Sequence, residues 1–293
     1  MKIASNKLSD LYAYYKSELS SLYDEEELYA VFELVCETYL KFSKSDTKQY
    51  FHSNLNQSDV LHIYDACKEL QKGIPVQYVL KKAFFYDSYF YVNPAVLIPR
   101  PETEELVDMI IKEFQDTNKP LTILDIGTGS GCIPVTLKKH LPQSTVTAID
   151  ISQQALETAE KNAALYKTSV TFKQGDVLDP KVLVEFPPHS FSVIVSNPPY
   201  IALSESKQME DRVLNQEPHL ALFVDDSDPV IFYKRIIDLC KHALAPGGAL
   251  FFELNPLFAL DVKNYANTSN LFNFVGLITD MSGKSRFLKA YKK

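Results

Sequence analysis

The chain has 293 residues, nearly half of them apolar and about a quarter charged, with a net charge of −7. This is the balance of a globular protein and excludes a disordered, collagenous or low-complexity chain. No apolar run approaches the roughly 18 residues of a membrane span, and the opening residues lack the apolar core of a signal peptide. A cytoplasmic protein with no membrane association is therefore expected. Only four arginines occur, so the basic excess of a phosphate-gripping protein is missing and no direct nucleic-acid binding is expected. Cys36, Cys67, Cys132 and Cys240 show no metal-ligand spacing. They read as buried reduced thiols, and no metal site is expected.

Residues 1–91 hold 12 of the 17 tyrosines, no arginine and one glycine. Leu8, Leu11, Tyr12, Tyr15, Leu19 and Leu22 recur at a helical period, as do Leu28, Val31, Phe32, Leu34, Val35 and Leu40. A third helix over about 58–72 takes Ser58 as N-cap and Gly73 as C-cap. A small helical bundle with a tyrosine-rich core and rim follows. From Phe84 to Val92, two aromatic strands flank an Asp87-Ser88 turn. The segment Pro99-Arg100-Pro101 reads as stiff and extended, with a helix starting near Thr103.

Beyond residue 120, strand-like runs at 121–126, 145–149, 169–173, 191–196 and 249–254 alternate with helical patterns at 132–140, 153–165 and 229–244. Two further strands close the chain near 274–280 and 285–291. The alternation implies an α/β fold with a mostly parallel, doubly wound sheet of seven strands and a C-terminal hairpin.

Two motifs carry chemistry. The first is Asp125-Ile126-Gly127-Thr128-Gly129-Ser130-Gly131, which follows an apolar strand and opens a helix, with Asp150 ending the next strand 19 residues past Gly131. Glycines let a backbone approach a ligand closely, and an acid at the second strand end can accept from ribose hydroxyls. A dinucleotide fingerprint requires glycine at position 132, which is Cys132. The Gly-x-Gly-x-Gly spacing instead resembles the S-adenosylmethionine loop of class I methyltransferases. In that family the edge held here by Gly175, Asp176 and Val177 flanks the adenine, although Gly-Asp is also a common turn.

The second motif is Asn197-Pro198-Pro199-Tyr200, directly after the strand 191–196. It suits one task, holding a planar –NH2 group. The Asn197 side-chain carbonyl and the Pro198 backbone carbonyl are acceptors, the two prolines fix their directions, and Tyr200 offers an aromatic face. Such residues point to methyl transfer onto a planar nitrogen, in an amide or in a nucleic-acid base.

Upstream, Gly73-Ile74-Pro75-Val76-Gln77-Tyr78, the aromatic hairpin and Val96-Leu97-Ile98-Pro99-Arg100-Pro101-Glu102-Thr103-Glu104 resemble the HemK/PrmC family. Glu217-Pro218 with Ala221-Leu222, and Asp280 with Gly283 and Arg286, match as well. The resemblance spans nearly the whole chain. It implies an enzyme that methylates the side-chain amide of the glutamine in the Gly-Gly-Gln motif of peptide chain release factors, leaving S-adenosylhomocysteine. The implied site residues are Gly127, Thr128, Gly129, Ser130, Gly131, Asp150, Asp176, Val177 and Asn197 for the cofactor, and Asn197, Pro198, Pro199 and Tyr200 for the amide. The implied organisation is a helical docking domain over 1–75, a hairpin linker over 76–99 and a catalytic domain over 100–293.

A sister family acting on a ribosomal-protein glutamine usually has Pro-Arg-Ser-Pro where Pro99-Arg100-Pro101-Glu102 stands. A role for Arg100 to Glu102 at the methionine end of the cofactor and a purely structural role both remain open. Two departures stand out. The family pattern Gly-x-x-x-Phe-x-Gly lacks both glycines within Leu80 to Asp87, and Glu253-Leu254-Asn255 replaces Glu-x-Gly near an expected sheet edge.

Overall fold

A computed structural model describes residues 4–117, 119–182, 186–209 and 211–293. The chain divides into two compact units between Lys82 and Ala83.

In the first unit, α1 (Leu8–Leu19), α2 (Glu25–Leu40), α3 (Lys44–Gln49), α4 (Gln57–Leu70) and α5 (Val76–Leu80) surround one apolar core. Tyr15 and Phe32 are wholly buried, and the Tyr15 hydroxyl donates to the Ile63 carbonyl at 2.7 Å, so the aromatic ring enters the core without stranding its polar end. The N-cap of α4 is Asn56 rather than Ser58, its side chain accepting from the Asp59 amide at 2.9 Å. The C-cap is Gln71, and Gly73 takes its positive φ two residues later, where the chain leaves the helix.

A hairpin of β1 (Lys82–Phe85) and β2 (Ser88–Tyr91) follows. Its turn is Tyr86-Asp87, both with φ above zero, one residue earlier than the expected Asp87-Ser88. Aligned on Phe85, the missing family glycines fall at Lys81 and Asp87, and both adopt positive φ, at 55° and 61°. The hairpin therefore forms with non-glycine residues in the left-handed region. Phe85 and Phe90 are fully buried, and Asn162 exchanges hydrogen bonds with the Tyr91 backbone at 2.7 and 2.9 Å.

The helix expected at Thr103 begins two residues earlier. α6 spans Pro101–Phe114 with Arg100 as N-cap. Proline is well suited to this first position, because its missing N–H would have no intrahelical partner there.

Next come β3 (Thr122–Ile126), α7 (Cys132–His140), β4 (Thr145–Asp150), α8 (Gln153–Leu165), β5 (Val170–Gln174) and β6 (Phe191–Ser196). Two short strands, β7 (Ile201–Ala202) and β8 (Phe223–Val224), pair with each other, and α9 (Asp211–Gln216) and α10 (His219–Leu222) lie between them. The chain ends with α11 (Ile231–Ala243), β9 (Leu244–Glu253), α12 (Ala259–Thr268), β10 (Phe272–Thr279) and β11 (Ser285–Lys292).

The main sheet has seven strands in the order β10-β11-β9-β6-β3-β4-β5. Five run parallel, while β11 and β10 form the antiparallel C-terminal hairpin. β9 starts five residues before the expected Ala249, passing through Pro246-Gly247-Gly248 with a register irregularity against β6. It lies between β6 and β11, so it is an inner strand, and Glu253 and Asn255 do not stand at a sheet edge.

Side chains alternate across β3. Ile123 joins Ile110, Ile133 and Val195 on the face of α6 and α7, whereas Leu124 joins Ile194, Ile237 and Leu250 on the face of α11. Helices cover both faces, which explains why the inner strands are almost wholly apolar. The order reverses between β3 and β6, the switch point at which an open α/β sheet forms its ligand crevice beyond the strand ends.

Candidate functional site

Ile126 pairs with both Ile149 and Ser196, and Ser196 pairs with Phe252, so β3, β4, β6 and β9 end together. Both sequence motifs leave the sheet here. The Ser196 hydroxyl donates to the Ile126 carbonyl at 2.7 Å, and a Cβ on Gly127 would lie 3.9 Å from the Asn197 carbonyl. The glycine loop and the Asn-Pro-Pro-Tyr segment are therefore neighbours.

In the loop, Gly127, Gly129 and Gly131 have φ of 76°, 53° and 77°. Their surroundings differ. A Cβ on Gly129 would meet nothing within 4 Å, whereas one on Gly131 would stand 2.8 Å from the Ala159 Cβ. Gly129 thus keeps backbone open to a ligand, while Gly131 lets α7 pack closely against α8. Asp150 steadies the loop, with one oxygen accepting from the Gly129 amide at 2.8 Å and the other from Ser152 at 2.9 Å. Burial raises its pKa against those bonds.

Asp125 is fully buried, and no described residue donates to either of its carboxylate oxygens. The Thr128 hydroxyl is also without a partner. Burial pushes the Asp125 carboxyl up to about 7, with Thr128 opposing and Asp150 adding to the rise. Unpartnered buried polar atoms are costly, and three of them beside an open glycine backbone make a cradle awaiting donors. S-adenosylmethionine carries an α-ammonium and two ribose hydroxyls, so this set of acceptors fits it. Gly175 donates to the Asp150 carbonyl at 3.0 Å, which brings the end of β5 alongside. The Asp176 carboxylate caps its own turn through the Leu178 amide at 2.8 Å, and the Val177 side chain is buried in the core. Ser130 is buried, and its carbonyl accepts from Asn162 at 2.8 Å.

On the other side of the switch point, Asn197 Nδ2 donates to Thr103 Oγ1 at 3.1 Å, and Thr103 Oγ1 donates to Glu253 Oε2 at 2.7 Å. The Tyr200 hydroxyl donates to Glu253 Oε1 at 3.1 Å. No described residue bonds to Asn197 Oδ1 or to the Pro198 carbonyl, so both acceptors are available. Pro199 is half-buried between them and Tyr200. Glu253 is 1 % exposed, and burial pushes it up to about 7 against the bonds from Thr103 and Tyr200.

The sequence reading assigned no role to Thr103, Glu253 or Asn255. Asn255 Nδ2 donates to the Tyr200 carbonyl at 3.0 Å, a bond that glycine at this position would lack. One signal was available, since Glu253 is a lone acid inside the apolar run 249–254.

The remaining quoted motifs serve as supports. Arg100 pairs with the buried Glu217 at 2.6 Å, and Glu217 also accepts from the Ile98 amide at 3.2 Å. These bonds tie the segment before α6 to the residue that follows α9. Asp280 accepts from the Ser282 hydroxyl, the Lys284 amide and Arg286, and it is held down at about 2. All four cysteines are free and buried. Among the described residues, no helix is long and apolar enough to cross a membrane, and no His/Cys/Asp/Glu group is arranged to hold a metal.

Comparison with known proteins shows the family and the fold. The Methyltransferase small domain family matches residues 104–220. A release factor glutamine methyltransferase of Flavobacterium psychrophilum is 40 % identical over 92 % of this chain and 94 % of its own length. One of Bacteroides thetaiotaomicron is 41 % identical over 95 % and 98 %. Among solved structures, a methyltransferase from Pyrococcus furiosus superposes with a TM-score of 0.50 at 19 % identity, covering 69 % of this chain and 88 % of that one, which shows the shared fold.

Proposed function

Because the chain belongs to the release factor glutamine methyltransferase family, we propose that the paired free acceptors beyond β6, Asn197 Oδ1 and the Pro198 carbonyl, hold the side-chain amide of a release-factor glutamine for methylation. The enzyme is an S-adenosylmethionine-dependent protein-glutamine N-methyltransferase. The observation that carries the site assignment is the Thr103 bond to Asn197 Nδ2, which leaves Oδ1 with no bond from a described residue.

Gly127, Gly129, Thr128, Asp125 and Asp150 would hold the cofactor, with Gly131 and Ser130 setting the loop and Asp176 and Val177 lining the neighbouring strand end. When bound, S-adenosylmethionine supplies a methyl group on positively charged sulfur; the S–C bond breaks toward sulfur, the N–C bond forms, and the products are S-adenosylhomocysteine, N-methylglutamine and one proton. The chain's own work is orientation. An amide lone pair is delocalised into the carbonyl and is a poor nucleophile. Two acceptors on its two hydrogens fix the plane of the –NH2 and favour the pyramidal nitrogen that forms during transfer. Asn197 Oδ1 and the Pro198 carbonyl are too weakly basic to keep the released proton, which passes from the amide nitrogen to solvent. Tyr200, held by its hydroxyl on Glu253, packs its ring beside the amide and excludes water. Fixing the reacting atoms in this way can contribute about 7–11 kcal/mol relative to free encounter.

The test is labelled methyl transfer to a purified release factor, with a Gly-Gly-Gln→Gly-Gly-Ala factor, DNA and ribosomal RNA as parallel substrates. Asn197→Ala is expected to lose transfer at least about 100-fold, with S-adenosylmethionine binding, read in calorimetry, weakened far less. Wild-type transfer by Asn197→Ala would refute the assignment, and label on nucleic acid alone would refute the substrate.

A further inference from the structure

Asn197 can serve as an acceptor only if its amide faces the substrate oxygen-first. Oxygen and nitrogen ends are nearly equal in shape, so packing alone cannot select between them. The selection must come from a partner of fixed polarity, and the Thr103 hydroxyl has one hydrogen and two neighbours, Glu253 at 2.7 Å and Asn197 at 3.1 Å. An ionised Glu253 can only accept. The Thr103 hydrogen must then point at Glu253, its lone pair must face Asn197, and only Nδ2 can satisfy that lone pair. Oδ1 then faces away from Thr103.

We propose that Thr103 and Glu253 are positioning residues that set the polarity of Asn197, so that ionised Glu253 presents the Asn197 carbonyl to the substrate amide and protonated Glu253 lets the chain of hydrogen bonds reverse. This rests on the assignment of Asn197 as the amide acceptor. In the reversed state Glu253 donates to Thr103, Thr103 turns its hydrogen toward Asn197, and the Asn197 –NH2 faces another –NH2 that it cannot accept from. Thr103 is 3 % exposed and Glu253 is 1 % exposed, so solvent does not substitute for either bond. The partners come from separate elements, namely α6, β9 and the segment after β6. The relay therefore exists only in the folded sheet.

Several groups surround Glu253. Tyr200 donates to Oε1 at 3.1 Å, and Tyr233 on α11 donates to the Glu253 backbone carbonyl, not its carboxylate, at 3.0 Å. Arg286 on β11, itself paired with Asp280 at 3.2 Å, favours the ionised form, while Glu102 on α6 opposes it. The Cys132 thiol on α7 is pushed up to about 12 and stays neutral. Burial outweighs these neighbours and places the Glu253 ionisation at about 7. Conversion between the two polarities thus falls near neutral pH.

The test uses the full-length enzyme, unmethylated release factor and saturating S-adenosylmethionine in single-turnover transfer from pH 5.5 to 8.5. The wild type should lose rate about tenfold per pH unit below the Glu253 ionisation. Glu253→Gln should flatten that limb, because glutamine does not titrate. Thr103→Val, which keeps shape but not the hydroxyl, should lower the transfer rate about tenfold with release-factor KM little changed, and Thr103→Ser should restore most of it. Asp125 also titrates near 7, but it lies in the cofactor cradle and should move S-adenosylmethionine affinity, read by calorimetry. Melting of each cofactor-free variant shows that it is folded. An unchanged acid limb in Glu253→Gln, or equal rates for Thr103→Val and Thr103→Ser, overturns the relay. If Asn197→Ala is inactive in that case, the relay alone fails; if Asn197→Ala is fully active, the acceptor assignment itself fails.

Discussion

Gly129 and Gly131 are two residues apart in one motif, yet alanine should affect them in different ways. At Gly131 an added Cβ meets the Ala159 Cβ at 2.8 Å and its Cα at 3.0 Å, at a φ of 77°. Ala159 belongs to α8, and its backbone cannot yield without moving that helix. Overpacking in a close-packed interior costs about 1–3 kcal/mol, and the left-handed conformation adds roughly 1–2 kcal/mol. A loss near 3 kcal/mol lowers the melting temperature of a unit of this size by about 6–12 °C.

At Gly129 the added Cβ meets nothing within 4 Å, so only the cost of a φ of 53° applies, roughly 1–2 kcal/mol. The methyl would instead occupy the space that a close-lying ligand needs. Gly131→Ala should therefore melt clearly earlier while its folded fraction still binds S-adenosylmethionine. Gly129→Ala should melt about 2–8 °C below wild type and lose at least about tenfold in cofactor affinity. Thermal melts of the cofactor-free proteins and calorimetric titration measure both quantities. Equal melting of the two variants, or undiminished binding by Gly129→Ala, would refute this division of labour.

Two further predictions concern stability. The Asp125 carboxyl is raised from 3.8 to about 7, so the native state holds its proton more tightly than the unfolded chain, and this group's contribution to stability falls as pH rises between those values. Asp125→Asn should gain stability relative to wild type as pH increases from 4 to 8, while binding S-adenosylmethionine more weakly; a pH-independent difference in denaturant midpoints would contradict this. Lys81 is a C-cap held at a φ of 55°, where the family pattern has glycine. Lys81→Gly should stabilise the protein by about 1 kcal/mol, and a lower denaturant midpoint would show that the Lys81 side chain contributes more than its backbone costs.

Local chemistry made much of the architecture legible in the sequence. The helices 132–140 and 153–165 occur at the bounds their periodicity indicates, and β6 runs from Phe191 to Ser196 as expected. Each of these segments carries its signal in adjacent residues. Cap positions were harder to read, because Asn56 and Ser58 are both competent N-caps and only the helix geometry chooses between them. The short helices α3, α5, α9 and α10 span too few turns to show a period.

The two halves of the site were readable for a similar reason. Gly-x-Gly-x-Gly and Asn-Pro-Pro-Tyr are contiguous, and each follows an apolar strand whose carboxyl end marks the ligand side of a parallel sheet. The orientation of Asn197 was not readable. It depends on Thr103, 94 positions before it, and on Glu253, 56 positions after it, and neither separation leaves a trace in local pattern. Composition and spacing by themselves determined the alternating α/β architecture and singled out the glycine loop and the Asn-Pro-Pro-Tyr tetrapeptide as candidate sites, since those follow from short-range backbone and side-chain preferences. Only the assembled sheet decided that β9 is an inner strand and that Glu253 meets Thr103 and Tyr200. The same assembly decided that Gly131 serves packing while Gly129 keeps space for a ligand. Burial and hydrogen-bond polarity are properties of neighbours in space, and neighbours in space are what the chain order does not record.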